Sequence, residues 1–151
     1  MLSAKDFFTL QEQEAIVCAI RNAEMQTSGE VRVHIEDTCP ITALDRAAAV
    51  FATLQLHKTQ QRNGVLFYIS VQDHQFAVLG DAGINHIVPP DFWENIKNEV
   101  LLHFKQGKFV EGLVAGITAA GDQLHRFFPY HHNDTNELPD EISFGADLPN
   151  K

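Results

Sequence analysis

Apolar and polar positions change period several times along the chain. Over residues 10–25, Leu10, Ile16, Ala19, Ile20 and Ala23 recur at helical spacing and share one face. Thr9 and Glu12 ahead of them fit a capping box, and Gly29 stops the helix. The period then falls to two. Val31, Val33 and Ile35 face one way, while Glu30, Arg32, His34 and Glu36 face the other. This alternation predicts a strand with one firmly buried face and His34 on the less buried one. A second helix is predicted over 42–57, with Thr42 and Asp45 as a capping pair and Leu44, Ala47, Ala48, Phe51 and Leu54 as its apolar face. Residues 64–71 form a nearly unbroken apolar, aromatic and β-branched run, the pattern of a strand buried on both faces. Gln72, Asp73 and His74 make a tight turn, and 75–79 reads as the returning strand. Gly80-Asp-Ala-Gly83 is a glycine-bracketed acidic turn at the exit of this hairpin. A loop with short extended character at 86–88 follows, and then helices over 91–104 and 108–127.

Strand, helix, strand in that order is a crossover unit, so the strands at Val31 and Val65 should run parallel with a right-handed connection. The hairpin adds an antiparallel neighbour. The predicted fold class is α/β: a three-layer α/β/α sandwich, a small mixed sheet with helices on both faces. One domain is expected over 1–128. From Pro129 the composition turns to His, Asn, Asp, Glu and Pro, which predicts a polar, flexible tail over 129–151.

Charge narrows the function classes. The 151 residues carry a formal net charge of -9. That disfavours nucleic-acid binding, which needs a basic footprint, and docking on anionic lipid. Cys18 and Cys39 have no pairing signature, so reduced thiols are expected. The first residues lack the apolar core of a signal peptide, and no apolar run reaches the ~18 residues of a membrane span. The expectation is a soluble, cytoplasmic monomer that contacts no membrane.

Topology points to candidate chemistry. Glu30 and Asn63 sit at the starts of two parallel strands, and Asp81 follows the end of the antiparallel one, so all three should meet at one sheet edge. Each adjoins a glycine, Gly29, Gly64 or Gly80, which lets backbone carbonyls approach closely. Two carboxylates, an amide oxygen and carbonyls suit a hard divalent cation, calcium or magnesium. Arg62 and Ser28 lie beside them as candidate contacts for an anion or substrate. The competing reading has Glu30 and Asp81 accepting backbone hydrogen bonds in turns and pairing with Arg62. The opposite edge offers an alternative metal site at Asp37 and Asp73, near Glu36, Gln72 and His74. It is favoured by the rule that sites lie at the carboxyl ends of parallel strands. His131, His132 and Asp134 are a weaker candidate for a softer metal. HExxH, CxxC and GxSxG motifs are absent from the sequence.

Five blocks, in order, carry a family resemblance. They are Thr27-Ser-Gly-Glu-Val-Arg-Val-His-Ile35, Asn63-Gly-Val-Leu-Phe-Tyr-Ile-Ser70, Phe76-Ala-Val-Leu-Gly-Asp-Ala-Gly-Ile84, Phe92-Trp93 and Phe104-Lys-Gln-Gly-Lys-Phe-Val-Glu-Gly112. Over about 10–124 the chain resembles the TPM-domain family. That family includes thylakoid-lumen proteins linked to photosystem II repair, a nematode receptor-associated membrane protein and many bacterial proteins. The resemblance implies an α/β/α sandwich, divalent-cation binding with calcium foremost, and the acid phosphatase activity proposed for plant members. Gly29-Glu30, Asn63-Gly64 and Gly80-Asp81 match its motif positions. The signal peptide and C-terminal membrane helix common in relatives are not expected here. Three functions are therefore in play: a cation-binding domain, a metal-assisted phosphatase acting on phosphomonoesters with Arg62 on the developing charge, and a module that binds a protein partner through its acidic face or tail.

Overall fold

In the computed structural model, which describes residues 3–130 and 142–145, the chain enters through a short helix α1 (Ala4–Phe7). The capping box then starts α2 (Leu10–Glu24): Glu12 N donates to Thr9 Oγ1 at 3.1 Å, and Thr9 N donates to Glu12 Oε1 at 2.9 Å. Next come β1 (Glu30–Glu36), α3 (Ala43–Thr53) and a 3-10 turn (Leu56–Lys58). The hairpin β2 (Gly64–Ser70) and β3 (Gln75–Gly80) follows. After it come α4 (Ala82–Asn85), α5 (Phe92–Phe104), α6 (Phe109–Phe127) and β4 (Ser143–Phe144).

The four strands lie in the order β3-β2-β1-β4. β1 is parallel to β2 and to β4, and β2 is antiparallel to β3, so the sheet is mixed. Its two faces are packed differently. Ile16 and Ile20 of α2, Ile96 and Val100 of α5, and Ile117 and Leu124 of α6 pack against Val31, Val33, Val65 and Phe67. On the other face α3 sets Ala47, Val50 and Phe51, and the 3-10 turn sets Leu56, against Leu66, Tyr68 and Ala77. Fully burying one such Leu, Ile or Phe contributes about 1.5–3 kcal/mol, so the first face supplies most of the folding drive. This is the three-layer α/β/α sandwich predicted above.

Several details depart from the sequence reading. The helix expected over 42–57 ends at Thr53, because Gln55 takes a left-handed conformation (φ 62°) that breaks it before the 3-10 turn. The glycine-bracketed acidic turn instead opens α4, with Asp81 as its N-cap and His86 as its C-cap, and residues 86–88, expected to be extended, form a turn and a bend. Leu10 and Leu44, assigned to apolar faces, are exposed. Burial takes in both faces of β1: Glu30, Arg32, His34 and Glu36 are as covered as the valines between them. His34, expected on a less buried face, has no exposed surface. Within the stretch read as a flexible tail, Pro129 bridges to Thr27, and Ser143 and Phe144 pair with His34 and Ile35. Among the described residues no helix is long and apolar enough to cross a membrane.

Candidate functional site

The edge at the start of β2 is built by a loop that folds back over the sheet. Thr59 Oγ1 accepts from Asn63 N at 3.0 Å, and Thr59 O accepts from Arg62 N at 3.2 Å. The turn leaves Arg62 in a left-handed conformation (φ 51°), a non-glycine outlier of the kind that concentrates at functional loops. Asn63 Nδ2 donates to Ser28 Oγ at 3.1 Å, which leaves its amide oxygen as an acceptor. Ser28 Oγ in turn donates to Gln61 Oε1 at 3.4 Å.

Asp81 closes this edge. Its Oδ1 accepts from Ala82 N at 2.8 Å and so caps α4. Arg62 grips both oxygens, with Nε to Oδ2 at 2.6 Å and Nη2 to Oδ1 at 2.8 Å. The pair is lopsided: the Asp81 side chain is 6% exposed and the Arg62 side chain 52%. Burial raises the Asp81 carboxyl, but the hydrogen bonds from Arg62 and the Ala82 amide outweigh it and hold the group below its usual range, ionised.

Glu30 opens β1 at the same edge. It stands beside Gly64 in the parallel register, and Gly64 O accepts from Asp81 N at 3.0 Å on the other side. One glycine therefore lies between the two acidic residues. Its missing side chain is needed: a Cβ at Gly64 would sit 2.7 Å from the Leu56 carbonyl oxygen. At Gly83 a Cβ would fall 2.0 Å from the Gln61 carbonyl oxygen and 2.6 Å from that of Arg62. Bare glycines at these two positions thus let the Leu56, Gln61 and Arg62 carbonyls pack against the strand start and the turn. A cation site here would draw on carboxylate and carbonyl oxygens, which are what hard cations use. Against it, no group of three or more His, Cys, Asp or Glu side chains among the described residues is placed to hold a metal ion. The positive charge facing Asp81 is that of Arg62.

The other sheet edge holds a network that sequence reasoning missed. Glu36 accepts from Arg46 Nε at 2.9 Å and from Tyr68 OH at 2.6 Å, and also from Arg46 Nη2. His34 Nε2 lies 3.2 Å from Glu36 Oε1, while His34 Nδ1 and Ser143 Oγ are 2.7 Å apart. Burial alone raises the Glu36 carboxyl, yet bonds from Arg46, His34 and Tyr68 prevail and hold it well below the carboxylate range. The Tyr68 hydroxyl is pushed far up by burial, with its bonds to Cys39 and Glu36 acting in the same direction. A signal existed: an unbroken Glu-x-Arg-x-His-x-Glu stripe facing an apolar strand that contains a tyrosine needs partners once it is covered.

Asp37 and Asp73 share this second edge, but each fastens a loop. Asp37 Oδ1 accepts from Ala4 N at 2.5 Å. Asp73 Oδ2 accepts from Cys39 N and from Ser70 Oγ, the latter at 3.3 Å. His131, His132 and Asp134 lie outside the described residues.

A profile of the TPM domain matches residues 2–123. The solution structure of BA42 from the psychrophilic bacterium Bizionia argentinensis is similar, with 48% identity and a TM-score of 0.89, covering 96% of this chain and 100% of that one. The N-terminal domain of a protein from P. gingivalis shares the fold at 18% identity and a TM-score of 0.64, covering 83% of each chain. That of the cg2496 protein from Corynebacterium glutamicum does so at 8% identity and a TM-score of 0.63, covering 90% of this chain and 80% of that one. None of the curated proteins matches.

Proposed function

The chain belongs to the TPM-domain family, and from that premise we propose that it binds a divalent cation, calcium foremost and magnesium second, at the edge where β2 begins. The observation that supports this most is the buried, ionised Asp81 carboxylate, whose counter-charge comes from a side chain that is half in solvent. At the same edge lie the oxygens of the Asn63 amide and, beside Gly64 in the strand register, of Glu30. Calcium accepts six to eight such oxygens in flexible geometry, while magnesium demands a stricter octahedron.

The phosphatase reading, and that of a protein partner held by the acidic face or tail, have no arrangement of their own among the described residues, so cation binding is the reading we put forward. A calcium titration of the full chain followed by amide chemical shifts tests it. The expected response centres on Leu56, Arg62, Gly64 and Asp81, and Asp81→Asn with Glu30→Gln removes it. Saturation at 100 times the dissociation constant should add about 2.7 kcal/mol to stability. A response centred on Asp37 and Asp73, or one that survives the double substitution, would show the assignment to be wrong.

A further inference from the structure

We propose that the open edge of β3 is a docking groove for an extended peptide segment of a partner protein, which adds a strand to the sheet beside β3.

Four observations carry it. First, β3 is the outer strand of the order β3-β2-β1-β4, so among the described residues one of its sides pairs with no strand. The ladder says which groups face that side. Asp81 N donates to Gly64 O at 3.0 Å, toward β2. Antiparallel pairs alternate between hydrogen-bonded and non-hydrogen-bonded. With Gly80 opposite Val65, Val78 opposite Phe67 and Phe76 opposite Ile69, the N–H and C=O groups of Phe76, Val78 and Gly80 therefore point outward. Gly80 O keeps this phase, accepting from Asn85 Nδ2 at 3.0 Å on the outer side. Main-chain donors and acceptors at every second residue are matched by another extended backbone. Second, a groove of about 550 Å3 runs along this edge. A pocket on one face of a sheet touches every second residue of a strand. This one touches all six from Gln75 to Gly80, so it follows the backbone edge. Third, its walls come from both layers: Ala43, Leu44 and Ala48 of the α3 segment on one side, Trp93, Glu94 and Lys97 of α5 on the other. The α5 wall is fixed at its end. Trp93 Nε1 donates to Asn85 Oδ1 at 2.8 Å, and the indole lies so close on Gly80 that a Cβ there would fall 2.1 Å from Trp93 Cζ2. Fourth, the edge lacks the usual guards. Gln75-Phe-Ala-Val-Leu-Gly80 holds no charge and no proline, whereas the opposite edge of the sheet is a strand of 2 residues.

The walls also choose between occupants. A second copy pairing edge to edge would bring α3 against α3 and α5 against α5, while a lone strand brings no helices with it. Successive side chains of the guest strand point to opposite walls. One set meets apolar Ala43, Leu44 and Ala48, and the other meets the Trp93 ring, Glu94 and Lys97. That selects small apolar residues alternating with polar or aromatic ones. The net charge of -9 favours a segment without carboxylates.

The test starts from a library of random linear heptapeptides selected against the full chain. The best binder is made as a free peptide and titrated into isotope-labelled protein. Amide shifts should centre on Phe76, Val78 and Gly80. Ala48→Trp sets an indole in the groove from an exposed position of α3. It should weaken the peptide about tenfold or more while melting with the wild type. A second readout leaves the protein untouched: the peptide is N-methylated at one or the other of its two alternating sets of residues. Methylating the set that faces β3 should weaken binding about tenfold or more, and methylating the other set should change it little, because alternate amides face the ladder. A library without a binder, shifts centred elsewhere, unchanged affinity in Ala48→Trp, or equal tolerance of both methylated sets would overturn the proposal. So would a dimer of the chain that Ala48→Trp dissociates, since the occupant is then a second copy.

Discussion

Arg46 and Arg62 each hold a carboxylate with Nε and a terminal nitrogen, at opposite ends of the same parallel strands. Around Glu36 the acceptor capacity is used up: Arg46, Tyr68 and His34 converge on it, and β4 covers the far side of His34 through Ser143. Around Asp81 it is not, since one exposed guanidinium and one backbone amide are the bonds its carboxylate receives among the described residues. The Arg46 side chain is 26% exposed and that of Arg62 is 52%. An ion pair tied into a covered network is an architectural element. The same pair with one partner half in water is a solvent-facing clamp on a buried carboxylate. The contrast shows that an Arg–carboxylate motif says little about function until its remaining hydrogen bonds are counted.

Substitutions can break this contrast or sharpen it. Glu36→Ala should be the most damaging, because it strands Arg46, Tyr68 and His34 beneath α3. The expected loss is about 3–5 kcal/mol, read by urea unfolding. A loss no larger than at Asp81 would erase the distinction between the two ends. Tyr68→Phe removes one donor to Glu36 and should lose about 1–2 kcal/mol in the same assay. Acid titration comes next. The Glu36 carboxyl is lower in the folded chain than in the unfolded one, so its contribution is present above the unfolded value of about 4.3 and is lost as pH falls toward the folded one. Stability should decline by at most about 1.4 kcal/mol per pH unit from this group, and Glu36→Gln should flatten that limb. Asp81→Asn should show the smallest effect, about 1 kcal/mol or less in the absence of cations, since the amide can still accept from Ala82 N. A calcium-dependent melting temperature that disappears in this variant would complete the contrast.

Much of the fold was readable from residues. Thr9 and Glu12 fix the start of α2, the alternation at 30–36 gives β1, and the run from Gly64 gives β2 with its parallel sense. The fate of the second face of β1 was not readable. Glu30, Arg32, His34 and Glu36 have the pattern of a solvated stripe, and the partners that cover it come from α3, β2 and β4, remote in sequence. β4 itself is two residues inside a polar stretch, too short for any period to show. At the other edge, Asp81 was legible as an acidic residue beside a glycine, but a helix of four residues after it has no periodicity to read. The left-handed backbone that aims Arg62 at Asp81 has no local signature, because arginine rarely adopts it unless the surroundings impose it.

The position of β4 bears on how the molecule is made. Ser143 meets His34 across 109 residues, and Thr27 meets Phe128 across 101. During synthesis the β4 side of His34 and Ile35 therefore stays open until residues 143–144 have emerged, on a strand that also carries buried charge. Pairings of such long range form late, and an open strand is a template for a neighbouring chain. A nascent chain cut short before Ile142 would carry α1 to α6 and most of the core among the described residues, yet lack the pair that closes on His34 and Ile35.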